Sequence, residues 1–327
     1  MLTKKRLAAL MMTMSVVYFF LLFLYLPAEA VALRMQYSRW FFAFKVGFLS
    51  MSAAITTSIA LVFIFKRDFI KRQTAVFSRF KYLLWLMVKR DFVSRYRRSI
   101  LGVLWSLLNP LLTMLVMTLV FSYLFRFDIP NFPVYLLSGQ LVFSFFSEST
   151  SLAMGSVIGN AGIIKKVYVP KYIFPLSRII SSLVNLCFSF IAFLLVFFIT
   201  RAPFYWTMLL VPIPILYTFV FSLGVGLLLS SLAVFFRDLT YLYGVFLTLL
   251  TYLTPLFYPV SMLPELVRQA LGANPLYHFV DYFRCLALYG IIPDLWSNIV
   301  CMGFSMAALC CGLYVFMSQQ DRYILHI

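Results

Sequence analysis

Ile179-Ile-Ser-Ser-Leu-Val-Asn-Leu-Cys-Phe-Ser-Phe-Ile-Ala-Phe-Leu-Leu-Val-Phe-Phe-Ile-Thr200 contains no charged side chain and is bracketed by Arg178 and Arg201. About 20 apolar residues suffice for an α-helix to cross ~30 Å of hydrocarbon, where only hydrogen bonds within the segment can satisfy the backbone. The stretch therefore reads as a membrane-spanning helix. Working outward from 179–200, comparable runs lie at 9–26, 46–65, 103–125, 134–158, 207–234, 241–260 and 295–317. The whole chain agrees, because 63% of its residues are hydrophobic and 11% are charged, against roughly 25% charged in a soluble domain. The expected fold is an all-α integral membrane protein with about eight transmembrane helices.

The net charge of +17 is not a nucleic-acid signature, because the cations cluster between the apolar runs. It reads as a topology signal. With the N-terminus in the cytoplasm, the inside segments hold Lys4, Lys5, Arg6, the dense set at 66–98, Lys165, Lys166, Lys171, Arg178, Arg237 and Arg322, most of the 27 Lys and Arg. The positive-inside bias and an even span number then place both termini in the cytoplasm of a multi-pass membrane protein. Ala28-Glu29-Ala30 after an apolar stretch imitates a cleaved secretory signal. The stretch at 8–26 exceeds the usual signal core of about 7–15 residues, so an uncleaved span is expected.

Three polar segments organise the chain, and the longest occupies 66–102. Within it Phe80, Leu84, Val88, Phe92, Tyr96 and Ile100 recur every fourth residue, which makes one helical stripe flanked by Lys81, Lys89, Arg90, Arg95, Arg97 and Arg98. This suits an amphipathic helix lying in the cytoplasmic interface against anionic lipid, either as an anchor or as a receiver of force. The second segment, 160–175, is basic and carries Pro170 and Pro175, which are expected to break it into a stiff loop. Its apolar Ile163, Ile164, Val167 and Val169 need a cover of lipid or protein. In the third, Thr254-Pro255 ends an apolar run, Ser261-x-x-Pro264-Glu265 starts a short helix that stops near Gly272, and Asn274-Pro275 starts another that runs to Gly290. The pair reads as a re-entrant hairpin at the outer interface, an aromatic belt anchor or the exit of a pathway.

Catalytic chemistry has little to stand on. No Gly-Lys dipeptide occurs, so there is no phosphate-cradling P-loop, and His278 and His326 are the only histidines. Cys187, Cys285, Cys301, Cys310 and Cys311 lack metal-ligand spacing. No catalytic or metal site is expected. Glu148, near the middle of the fourth span, is costly in hydrocarbon; it marks a pathway or a buried partner, or is neutral and bonded to Ser147, Ser149 or Thr150. Gly155-x-x-x-Gly159 is a small-xxx-small pattern that permits close helix approach.

Val88-Lys-Arg-Asp-Phe-Val-Ser-Arg-Tyr-Arg-Arg-Ser-Ile-Leu-Gly102-Val-Leu-Trp105-Ser-Leu-Leu-Asn109-Pro110 resembles the opening of the ABC transporter permeases that export O-antigen, capsule and teichoic acid polymers. The resemblance continues through 160–178, Phe235-Phe-Arg-Asp-Leu-Thr240, Tyr252-Leu-Thr-Pro-Leu-Phe-Tyr-Pro-Val260 and Asn274-Pro-Leu-Tyr277, covering roughly 80–325. It implies a six-helix permease core at 103–327 that pairs with a second copy of itself and binds two copies of a separate ATP-binding cassette subunit. ATP and Mg would sit on that partner, with no cofactor in this chain. Lys89, Arg90, Asp91 and Arg95 of the interfacial helix and Ile164, Lys165, Lys166 and Val167 of the loop would couple to it. A lipid-linked glycan would pass aromatic residues, making Tyr252, Phe257, Tyr258 and Tyr277 pathway candidates beside Glu148. Residues 1–65 depart from the pattern as an N-terminal two-helix extension of unassigned role. The same architecture could carry a drug or simple lipid. A membrane-embedded transferase on lipid-linked sugar is disfavoured for want of a D-x-D triplet or a His/Asp pair.

Overall fold

The computed structural model describes residues 67–96, 102, 104–121, 129 and 131–326. The expected spans at 9–26 and 46–65, the Ala28-Glu29-Ala30 site and Ile100 lie outside them. The chain divides into two compact units, Met1–Lys81 and Tyr82–Ile327. Of the first unit, residues 67–81 are described and are helical.

Every regular element among the described residues is helical: α1 (Arg67–Tyr96), α2 (Leu104–Val120), α3 (Phe132–Met154), the short α4 (Ser156–Gly159) and α5 (Ala161–Lys166), α6 (Ile173–Ile199), α7 (Pro212–Phe235), α8 (Leu239–Leu253), α9 (Glu265–Leu271), α10 (Pro275–Ala287), α11 (Leu295–Gln319) and α12 (Tyr323–His326), with 3-10 turns between some of them. Three stretches are long and apolar enough to cross a membrane, Ile173–Ile199, Trp206–Phe235 and Leu295–Arg322, which establishes an integral membrane character. Two more apolar helices, α2 and α8, are shorter. Helix α3 has the length, 23 residues, but carries Ser138, Gln140, Ser144, Ser147, Glu148, Ser149 and Thr150. A helix that polar at its centre belongs inside a bundle or beside water.

Local chemistry sets the boundaries. Asn131 sits in the left-handed region and its carbonyl accepts from the Val134 and Tyr135 N–H groups, while Pro133 occupies the first turn of α3. The Asn274 side chain accepts from Leu276 N at 3.0 Å and caps α10, and Asp294 does the same for α11 through Leu295 N at 2.7 Å. Gly290, at φ 67°, ends the hairpin; a Cβ there would fall 2.5 Å from the Tyr205 ring, so only glycine fits.

Helix α3 is the hub, touching α6, α7 and α10. Around it Phe193, Phe197, Phe279 and Phe283 are fully buried, with Phe193 and Phe283 meeting edge to face at 5.5 Å. The tightest crossing joins α7 to α11. A Cβ on Gly224 would lie 2.2 Å from the Ala308 carbonyl carbon, and one on Gly312 would lie 2.0 Å from the Gly224 oxygen. The backbones touch with no side chain between them. Helix α2, by contrast, buries no residue, and α8 buries only Tyr243.

Three sequence readings need correction. The span expected at 134–158 ends at Met154 and breaks at Gly155 into α4 and α5. The Gly155/Gly159 pair makes no close approach within this chain, since a Cβ at either position meets nothing within 4 Å. Pro175 does not break the loop; it sits buried in the first turn of α6, where its missing N–H leaves no bond unmade.

Candidate functional site

Polar side chains gather in two places along α3. Glu148 stands six residues before the end of that helix, ~9 Å along its axis. Asn185 of α6 donates from Nδ2 to Glu148 Oε1 at 2.8 Å. The Ser149 and Thr150 hydroxyls turn instead to the Phe146 carbonyl, and Thr150 also meets the Tyr243 hydroxyl at 2.6 Å. The carboxylate is therefore bonded across helices, in line with the buried-partner alternative, although the sequence did not name Asn185 as that partner.

This pair lines a cleft of about 530 Å³ between α2, α3 and α6, together with Trp105, Asn109, Gln140 and Ser144. A second cavity of about 480 Å³ adjoins it, lined by Arg90, Asp91, Asn160 and Arg178. Asn185 lines both. Asp91 on α1 stands 3.0 Å from Arg178 Nη1 of α6, an ion pair not aligned for a hydrogen bond, and accepts from Arg90 at 3.2 Å. Arg178 and Asn185 are seven residues apart on α6, two turns, so one helix face grips α1 with one residue and Glu148 with the other. Of the expected stripe on α1, Val88 is buried, Phe92 stacks on Phe188 at 5.9 Å, and Phe80 and Leu84 are half-buried, while Met87 beside the stripe is buried as well. Lys89 and Arg90 are exposed, and Arg95 lies in the last turn of α1.

The loop residues divide. Ile164 is buried inside the chain, whereas Ile163, Val167 and Tyr168 are exposed beside exposed Lys165 and Lys166; Tyr168 is 94% exposed. Lys171 turns inward, donates to the Gln320 carbonyl and lies over the Tyr323 ring.

The other gathering place lies ~15 Å further back along α3. Arg284 of α10 is 4% exposed and donates to Pro255 O at 2.9 Å, Leu256 O at 3.1 Å, Tyr135 O at 3.3 Å and Ser138 Oγ at 3.3 Å. Its guanidinium also lies 3.5 Å from the centroid of the Tyr135 ring. The carbonyls exposed by the Pro255 break are thus satisfied by a fork of fixed donors. Three pathway candidates are close by: Phe257 stacks on Phe121 at 5.5 Å, Tyr258 accepts from the Tyr135 hydroxyl at 3.1 Å through its carbonyl, and its own hydroxyl donates to the carbonyl of exposed Tyr252. Tyr277 packs on His278, which bonds the Gly272 carbonyl at 2.9 Å. Glu148 is not among them; the aromatic candidates and the carboxylate occupy opposite ends of α3. Arg284 itself went unassigned in the sequence, although the single Arg of the aromatic helix α10 is the signal that could have flagged it.

A profile of the ABC-2 type transporter family matches residues 82–288. The chain belongs to that family. Among curated relatives, the O-antigen export system permease protein RfbA of Klebsiella pneumoniae is 31% identical over 245 residues, 74% of this chain and 93% of the relative. The RfbA protein of Myxococcus xanthus is 28% identical over 75% and 95%. The polysialic acid transport protein KpsM of Escherichia coli is 25% identical over 72% and 92%. The matched profile includes both polar gathering places of this ABC-2 chain, from Asp91 to Arg284, so they belong to its transport core. Among the described residues no group of His, Cys, Asp and Glu is arranged to hold a metal.

Proposed function

We propose that this chain is the membrane-spanning subunit of an ATP-driven exporter that moves a lipid-linked polysaccharide across the bacterial cytoplasmic membrane. The observation that carries the reading is the match to 92–95% of the length of permeases named for O-antigen export and polysialic acid transport. A separate ATP-binding subunit supplies energy, in keeping with the missing Gly-Lys dipeptide. In this reading six core helices follow two N-terminal spans, α1 lies in the cytoplasmic interface, and the α9–α10 hairpin re-enters from outside. The density of cations at 66–98 and 160–178 supports that orientation.

The exposed apolar and basic side chains of 163–168 and the outward face of α1, with Tyr82, Trp85 and Leu86, are the surfaces offered to the ATPase. A second copy covers α2 and α8, whose Leu112, Leu115, Val116, Tyr241, Val245 and Leu249 are exposed. The test is to copurify the chain with its ATPase in nanodiscs and measure hydrolysis with extracted lipid-linked polysaccharides, while deleting the gene and assaying surface polymer. Stimulation and loss of surface polymer are expected. Unchanged surface polymer together with no stimulation would end the reading.

A further inference from the structure

We infer that the hydrogen bond between the Tyr243 hydroxyl and Thr150 is a latch that holds α8 shut against α3, and that its release is the step that frees α8 in the transport cycle. The latch itself stands on geometry; its part in the cycle rests on the export reading.

Helix α8 is fastened unevenly. Tyr241, Leu242, Val245 and Leu249 are exposed, and Tyr243 is the one residue the helix buries. The Tyr243 ring packs in one apolar cluster with Met154 of α3 and with Leu229 and Ala233 of α7, flanked by half-buried Leu239 and Leu247. Its hydroxyl meets Thr150 Oγ1 at 2.6 Å. The single proton of the Thr150 hydroxyl is committed to the Phe146 carbonyl at 2.6 Å, so Tyr243 donates and Thr150 accepts. Among the described residues this is the one hydrogen bond that runs from α8 to another helix. A tyrosine hydroxyl left buried without its partner is destabilising, so the ring seat and the bond are made and lost together.

The far end of α8 is held by several bonds at once. Thr254 is fully buried and its Oγ1 accepts from Asn274 Nδ2 at 3.1 Å. Arg284 grips the Pro255 and Leu256 carbonyls, and the Tyr258 carbonyl accepts from the Tyr135 hydroxyl at 3.1 Å. The Tyr243 end instead follows an exposed turn at 236–238, where among the described residues neither Arg237 nor Asp238 makes a side-chain hydrogen bond or ion pair. Residues 254–256 are therefore the pivot and the Tyr243 end is the part that moves. Tyr243 lies about 17 Å from Thr254 along the helix axis, so a tilt of about 10° carries it about 3 Å and breaks the bond.

The experiment uses the permease with its ATPase in nanodiscs. In a background with the native cysteines replaced, Met154, 4% exposed in the cluster with Tyr243, is changed to Cys and labelled with N-ethylmaleimide. The rate follows the population in which α8 has lifted, and loss of one buried hydrogen bond in Tyr243→Phe should raise it about fivefold. Thr150→Val should match that rise, the double variant should be no faster than either single, and Thr150→Ser, which keeps the acceptor, should label at the wild-type rate. A second background that keeps Cys301, fully buried in α11, reports general loosening and should label at one rate in every variant. ATP should bring the wild-type rate at Met154→Cys up toward that of Tyr243→Phe. Equal labelling at Met154→Cys in wild type, Tyr243→Phe and Thr150→Val, or an equal rise at Cys301, overturns the latch and leaves the export reading standing. A wild-type rate that ATP leaves unchanged, in complexes whose polymer-stimulated hydrolysis is intact, overturns the latch's part in the cycle. A wild type that neither responds to polymer nor supports surface polymer overturns the export reading, and with it that part, while the labelling rates still decide the latch.

Discussion

Replacing Arg284 by Met removes a guanidinium that fills a buried junction of three segments. The methionine keeps much of the aliphatic stem, so the change isolates the polar head. What it strands are the Pro255 and Leu256 carbonyls, which lie in the break after α8 and accept from Arg284 at 2.9 and 3.1 Å. The Tyr135 carbonyl also accepts from the Ser138 hydroxyl and is less affected. Two orphaned buried carbonyls cost about 1–3 kcal/mol each. Loss of the ring contact with Tyr135 adds roughly 0.5–2 kcal/mol, and relief from burying a cation returns part of the sum. A net loss of about 3–5 kcal/mol is expected. Equilibrium unfolding of the purified permease in mixed micelles measures it, followed by intrinsic tryptophan fluorescence. Arg284→Lys should recover less than half, because an ammonium cannot span four acceptors set for a planar fork. A Met variant within about 1 kcal/mol of wild type would show that the junction does not depend on the cation, and the reasoning would fail.

Three further outcomes can be checked. Gly224→Ala and Gly312→Ala should each sharply reduce folded yield in size-exclusion chromatography, because the added Cβ meets backbone at 2.2 and 2.0 Å, whereas Gly155→Ala, with nothing within 4 Å, should be neutral or stabilising by up to ~1 kcal/mol. Asp91→Arg should reduce export by setting like charges against Arg178 and Arg90, and the swap Asp91→Arg with Arg178→Asp should restore a substantial part of surface polymer; no restoration would remove the pair from the coupling route. Val167→Asp should weaken ATPase pull-down at normal permease levels, Lys165→Ala should do little, and Ile164→Asp should lower the permease level itself, because that side chain is already buried within the chain.

Much of the architecture was legible because hydrophobic length and proline chemistry are local signals. The helices after Asn274-Pro275 and around Thr254-Pro255 fall where their caps and breakers put them, and in the α1 stripe Val88 is buried and Phe92 stacks on Phe188. Long-range pairings were not legible. Asn185 lies 37 residues from Glu148, and Arg284 lies 146 from Ser138, so no spacing rule links either pair. The same limit explains Ile164, whose apolarity announced a contact without saying whether the chain or a partner supplies it. Glycine misled for a related reason. The regular Gly155/Gly159 spacing faces open space, while the true crossing matches Gly224 with Gly312 on a helix far along the chain.

The glycine contact between α7 and α11 also fixes the mechanical layout of the molecule. Two helices whose backbones touch cannot slide past each other without lifting apart, so α7 and α11, with α3 wedged against α7, act as a stator. Helix α2 buries no residue and α8 buries only Tyr243, with Met114, Leu247 and Leu250 half-buried against the core, so these two are held least by the rest of their own protomer. If the export reading holds, the opening stroke falls to α2 and α8, and the width of cargo admitted follows from how far they part. On that reading the passage is altered by substitutions on α2 and α8, while the glycine seam between α7 and α11 stays untouched.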